Sequence, residues 1–118
     1  MASVARSEGR TQTNPPIDLV ALATNTLGNR DLELEVLRMF KAQSRSMMSR
    51  IDNEMTPALQ KDLVHTLKGS ARAVGAVQVA LVCEGIEAEL VAEHTPPLIS
   101  LHQAVGSANA FIDELLEG

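Results

Sequence analysis

Tryptophan and tyrosine are absent from this chain, and Phe40 and Phe111 are its only aromatic residues. Strands draw heavily on aromatic and β-branched side chains, so a sequence stocked instead with Ala, Leu, Glu and Met favours helices. The same shortage removes the stacking platforms used on single-stranded nucleic acid. Ten Lys and Arg against fifteen Asp and Glu, a formal charge of -5, also deny a phosphate backbone its basic field. No nucleic-acid partner is expected. A lone cysteine, Cys83, has no internal disulfide partner, and no Cys/His spacing matches a zinc site, which together predict a reducing, cytoplasmic setting. No run of about 18 apolar residues is present to cross a bilayer. The opening MASVARSEGRTQTNPP is polar where a secretory signal would be apolar, so no membrane association is expected. Basic side chains are missing from the second half: all ten lie at or before Arg72, while residues 73–118 carry seven acids. One side of the fold is expected to be less acidic than the other.

With 45% hydrophobic residues in 118, the chain has enough apolar surface for one core without metal or disulfide staples. Residues 1–14 lack periodicity and read as a flexible tail before Pro15-Pro16, leaving 15–118 as the domain. Ile17 to Leu27 reads as a short helix closed by Gly28. Asp31 is positioned to cap a long amphipathic helix running to about Asp52, with Val36, Leu37, Phe40, Met47, Met48 and Ile51 inward. Thr56-Pro57 starts a helix that ends near Val74 before Gly75. Ala76 to about Glu93 and the stretch after Thr95-Pro96-Pro97 form the last two. Short connections between long helices predict an all-α, antiparallel up-down four-helix bundle with a short additional N-terminal helix.

On the Pro57–Val74 helix, Leu59, Leu63, Leu67, Ser70 and Val74 share one face at about 100° per residue, and this is the expected core face. His65 then points outward beside Lys61, Lys68, Gly69 and Arg72. Gly69 costs about 1 kcal/mol in a helix interior relative to alanine, and an approach path to His65 is the simplest use for it.

The stretch His65-Thr66-Leu67-Lys68-Gly69-Ser70-Ala71-Arg72-Ala73-Val74-Gly75-Ala76 resembles the active-site signature of histidine-containing phosphotransfer (HPt) domains. The signature has lysine at +3 from the histidine, glycine at +4, a small residue at +5 and glycine at +10. The resemblance extends from about Ile17 to the C-terminus in helix order and length. It implies a free-standing protein of a two-component phosphorelay. His65 would take a phosphoryl group from a receiver-domain aspartate and pass it to another receiver, with a hybrid sensor histidine kinase upstream. Lys68 would face the phosphoryl charge, about -1.5 to -2 by analogy with other phosphorylated side chains. Lys61, Gly69 and Arg72 would contact the partner, and Ser70 and Gly75 would be structural. With no carboxylate cluster near His65 and no Gly-rich nucleotide loop, the chain reads as a phosphoryl carrier without kinase activity. It needs no cofactor of its own, and Mg²⁺ is expected on the receiver.

Some relatives, the phosphotransfer domains of chemotaxis kinases among them, place a glutamate or glutamine on the next helix within reach of the histidine ring. That position falls on Glu87, at the edge of the Val79, Cys83, Ile86, Leu90 stripe. A carboxylate there would fix the tautomer and leave the other ring nitrogen to attack. Cys83 reads as a small buried hydrophobe, and His94 and His102, separated by the Pro96-Pro97 break, as solvated residues. The competing reading is a non-catalytic helical binding module that docks receivers or kinases. A metal-binding bundle would need inward Glu-x-x-His pairs, which the sequence lacks. A monomer is expected, because no heptad seam remains once the bundle is filled.

Overall fold

The computed structural model describes residues 15–118 and is all-helical among them. The helices are α1 (Leu19–Asn25), α2 (Arg30–Asn53), α3 (Pro57–Val74), α4 (Val77–Val91) and α5 (Ile99–Glu117). The four long helices form a ring in which α2 packs on α3, α3 on α4, α4 on α5 and α5 back on α2, while α1 lies against α3. This is the expected up-down bundle with its short extra helix. The expected tail, residues 1–14, lies outside the described residues.

Local chemistry accounts for most helix ends. Asp18 caps α1 by accepting from the backbone N–H groups of Val20 and Ala21 at 3.0 and 3.1 Å. The cap of α2 is Asn29, whose side chain accepts from Leu32 N at 3.0 Å, and not the expected Asp31, which lies inside the first turn. Both are short acceptors. Gly28, at φ +73°, turns the chain early enough for Asn29 to reach the cap position first. Pro57 opens α3 as expected, although the Thr56 hydroxyl makes no cap bond. Gly75, at φ +80°, closes α3 in the left-handed conformation that its missing Cβ permits. The last helix starts at Ile99, later than Thr95-Pro96-Pro97 suggests.

The core is built from residues such as Leu37, Phe40, Ile51, Leu67, Val79, Leu101 and Ile112, with Ile17 and Leu22 sealing the α1 end. One expectation about α3 fails. Its buried residues are Val64, Leu67, Ala71 and Val74, whereas Leu59 is 52% exposed and Leu63 and Ser70 are only half-buried. The true inward face is turned by about 60° from the expected one. The reason is that α3 is flanked by α2, α4 and α1 together, and the narrow Val64 and Ala71 side chains let the neighbours close over them. The larger leucines reach out along the α2 edge, where Leu59 and Leu63 line a crevice with Arg50 and Asp62.

Candidate functional site

The rotation of α3 decides the site. His65 and Gly69 still point away from the core and are exposed, but Lys68 moves from the outer face to the seam between α3 and α4, where its side chain is only 14% exposed. The antiparallel course of α4 brings Glu87 to the same seam at 17% exposure. His65 Nδ1 lies 2.9 Å from Glu87 Oε2, and Lys68 Nζ lies 2.6 Å from Glu87 Oε1. One carboxylate therefore holds the ring through one oxygen and the ammonium through the other. As an acceptor, Glu87 selects the Nδ1–H tautomer and leaves the lone pair on Nε2. The imidazole side chain is 69% exposed.

Electrostatics keep that carboxylate charged. Burial acts to raise the Glu87 carboxyl, but the hydrogen bonds of Lys68 and His65, the Lys68 charge, and the His65 charge at the acidic pH where a carboxyl titrates outweigh it and hold it below its ordinary range. One turn toward the α3–α4 connection, Arg72 pairs with Glu84, both side chains being about half-exposed. The expected basic column of Lys61, Lys68 and Arg72 is thus partly neutralised from α4. Glu84 was not legible as a site residue, since a carboxylate one turn from Glu87 on an amphipathic helix carries no separate signal until α3 is laid against it.

Gly69 has open space around it: a Cβ built there meets nothing within 4 Å among the described residues. Gly75 is the reverse case, where a Cβ would stand 2.5 Å from the Asp18 carbonyl oxygen. Ser70 borders a small crevice between α2 and α3 with Val36, Met39 and Gln43. Cys83 is fully buried beneath the seam, where burial first and the Glu87 charge second push its thiol up to about 12. His94 pairs with Glu89 at 2.7 Å and His102 with Asp52 at 2.8 Å, so both exposed rings bind a carboxylate of the chain as well as facing water. Among the described residues, no group of three or more His, Cys, Asp or Glu could hold a metal ion, and no helix is long and apolar enough to cross a membrane.

Residues 35–117 match the family model of the Hpt domain. The chain belongs to the Hpt domain family. Hpt domains perform phosphotransfer in two-component phosphorelays and interact there with response-regulator receiver domains and kinases. The match begins inside α2, so α1 and the first turn of α2 precede it, and it covers the whole α3–α4 seam. No curated protein and no solved structure gives a significant match.

Proposed function

We propose that His65 is the phosphoryl acceptor of this Hpt domain and that Nε2 is the reacting nitrogen. The observation that carries this is the pairing of an exposed imidazole with a carboxylate on Nδ1. In the forward step Nε2 attacks the phosphorus of a receiver's aspartyl phosphate. The N–P bond forms, the P–O bond to the aspartate breaks, and the carboxylate leaves with the electron pair. The Nδ1 proton stays in place, and the positive charge the ring acquires is offset by Glu87. The reverse step delivers the group to a second receiver.

Gly69 supports the same reading. A Cβ at residue 69 meets no neighbour among the described residues, and its place beside the exposed His65 is what suits the glycine to a partner that approaches from outside. The proposed docking surface includes Lys61, Gly69 and Arg72 around His65, with Arg72 already balanced by Glu84. The reading puts Mg²⁺ on the receiver, assigns the upstream phosphoryl group to a hybrid sensor kinase, and sets the relay in the cytoplasm.

The test is incubation with a phosphorylated receiver. Wild type is expected to gain an acid-labile, base-stable label, and His65→Gln none, with helicity unchanged because the ring faces away from the core. Labelling of His65→Gln at the wild-type rate would sink the assignment. Receiver binding with no label on wild type would mark a docking module without chemistry.

A further inference from the structure

Helix α4 is apolar on every side. Of its fifteen residues only Gln78, Glu84, Glu87 and Glu89 are polar, yet the bundle buries just the side built from Val79, Ala80, Cys83, Ile86 and Leu90. A helix with apolar residues all round is normally covered on more than one side. The outward stripe of Val77, Leu81, Gly85 and Ala88 falls within about 80° of arc at 100° per residue. All four are exposed, Val77 at 45% and Leu81 at 54%. We propose that this stripe is a second docking surface, away from the histidine, for a partner helix whose own apolar stripe is flanked by Lys and Arg.

The relief of the stripe fits a helix. At its N-terminal end Val77 and Leu81 line an apolar pocket of about 210 Å³ with Ala21 and Ala80, and Arg72 and Glu84 stand at the rim. Further along come two small residues, Gly85 and Ala88, and a Cβ added at residue 85 meets nothing within 4 Å among the described residues. A glycine there gives up helix propensity that alanine would supply, and no close approach within the bundle calls for it. Two helix axes come within about 8–10 Å of each other, toward the lower end where the side chains at the crossing are small. A helix laid on α4 therefore seats one apolar side chain in the pocket and brings its backbone down over Gly85 and Ala88.

Charge defines the partner. Glu84 borders the stripe on the α3 side and Glu89 on the α5 side, and residues 73–118 carry seven acids and no Lys or Arg. Glu84 meets Arg72 and Glu89 meets His94, but both pairs are exposed, where an ion pair contributes little and exchanges readily with an incoming cation. Basic flanks on the partner helix pair with these borders, and acidic flanks are repelled. A second copy of the chain would bring the same acidic borders to the same face, which opposes self-pairing. The receiver has its own place at His65 and Gly69.

The test uses two designed helical peptides with the same Leu and Ala stripe, one flanked by Lys and the other by Glu, titrated into ¹⁵N-labelled protein. The Lys peptide should shift the amides of Val77, Leu81, Gly85 and Ala88 and bind at least about tenfold tighter than the Glu peptide at one ionic strength. Leu81→Gln removes a wall of the pocket, and Ala88→Lys fills the crossing point with bulk and like charge. Each should weaken binding of the Lys peptide by about tenfold or more, with helicity unchanged because both positions are exposed. No binding, equal affinity for the two peptides, shifts centred elsewhere, or wild-type affinity in either variant would overturn the proposal. Transfer from a phosphorylated receiver should run at the wild-type rate in Leu81→Gln, and a slower rate would assign the stripe to the receiver interface instead. A dimer in light scattering that Leu81→Gln disperses would give the face to a second copy and equally overturn it. The peptide readings need no phosphoryl group, so they stand or fall independently of His65 as the acceptor.

Discussion

A Cβ at residue 69 would meet no neighbour among the described residues, so stability and transfer should respond to it in opposite ways. Gly69→Ala should raise stability by about 0.5–1 kcal/mol through helix propensity, read as a higher denaturant midpoint. Gly69→Leu should keep the fold and slow transfer from a receiver at least tenfold, and by up to about a hundredfold if it holds the reacting atoms an ångström too far apart. Wild-type rates with leucine there would remove the approach-path argument. Cys83, one turn before Glu87, makes the opposite case for burial. With its thiol pushed up to about 12 and no exposure, it should resist a thiol reagent at pH 8 in native protein and react fully once denaturant opens the bundle. Reaction of native protein at the rate of a free thiol would show that the seam opens readily.

Between elements, the backbones come close where α1 meets the α3–α4 connection. Asp18 N donates to Gly75 O at 2.7 Å, and Ile17 is wholly buried beside it. Gly75→Ala must place a Cβ in a left-handed residue and against the Asp18 carbonyl, and should cost about 2 kcal/mol or more, measurable as a lower denaturant midpoint. A neutral result would mean that α1 detaches without affecting the rest. The seam itself should respond to acid. Because folding lowers the Glu87 carboxyl below its ordinary 4.5, its pairing contributes stability that is complete above that value and is lost as pH falls through the lower, folded one. Wild type should therefore lose stability more steeply below about pH 4.5 than Glu87→Gln does, with the remaining carboxylates cancelling in the comparison. Parallel acid curves would contradict the lowered value.

At the scale of the molecule, the ring of four helices is closed by polar contacts between α2 and α5. Asn109 Nδ2 donates to Ser44 Oγ at 3.1 Å inside the core, Lys41 pairs with Asp113, and His102 reaches Asp52. These links join helices far apart in sequence and set the register of the closing pair. Among the described residues, the exposed apolar side chains are spread over all five helices, with Val77 and Leu81 one turn apart on α4, and make no heptad seam. The protein should accordingly behave as a monomer in light scattering at micromolar concentration. A dimer there would show that one of these faces is an interface.

Helix order, the Pro57 start, the Gly75 stop and the outward place of His65 and Gly69 follow from the sequence alone, because each depends on local backbone chemistry or on helical periodicity within one element. Glu87 was also legible, though only through the family position, since the spacing between two helices is not a local property. The partners of Lys68 and Arg72 were not. They depend on how far α3 is rotated about its axis, and of its two apolar rows, Leu59-Leu63 and Val64-Ala71, periodicity alone pointed to the first. Packing against α1, α2 and α4 selected the row with the smaller side chains. That choice carried Lys68 from the solvent face into the seam, and so decided which groups surround the histidine.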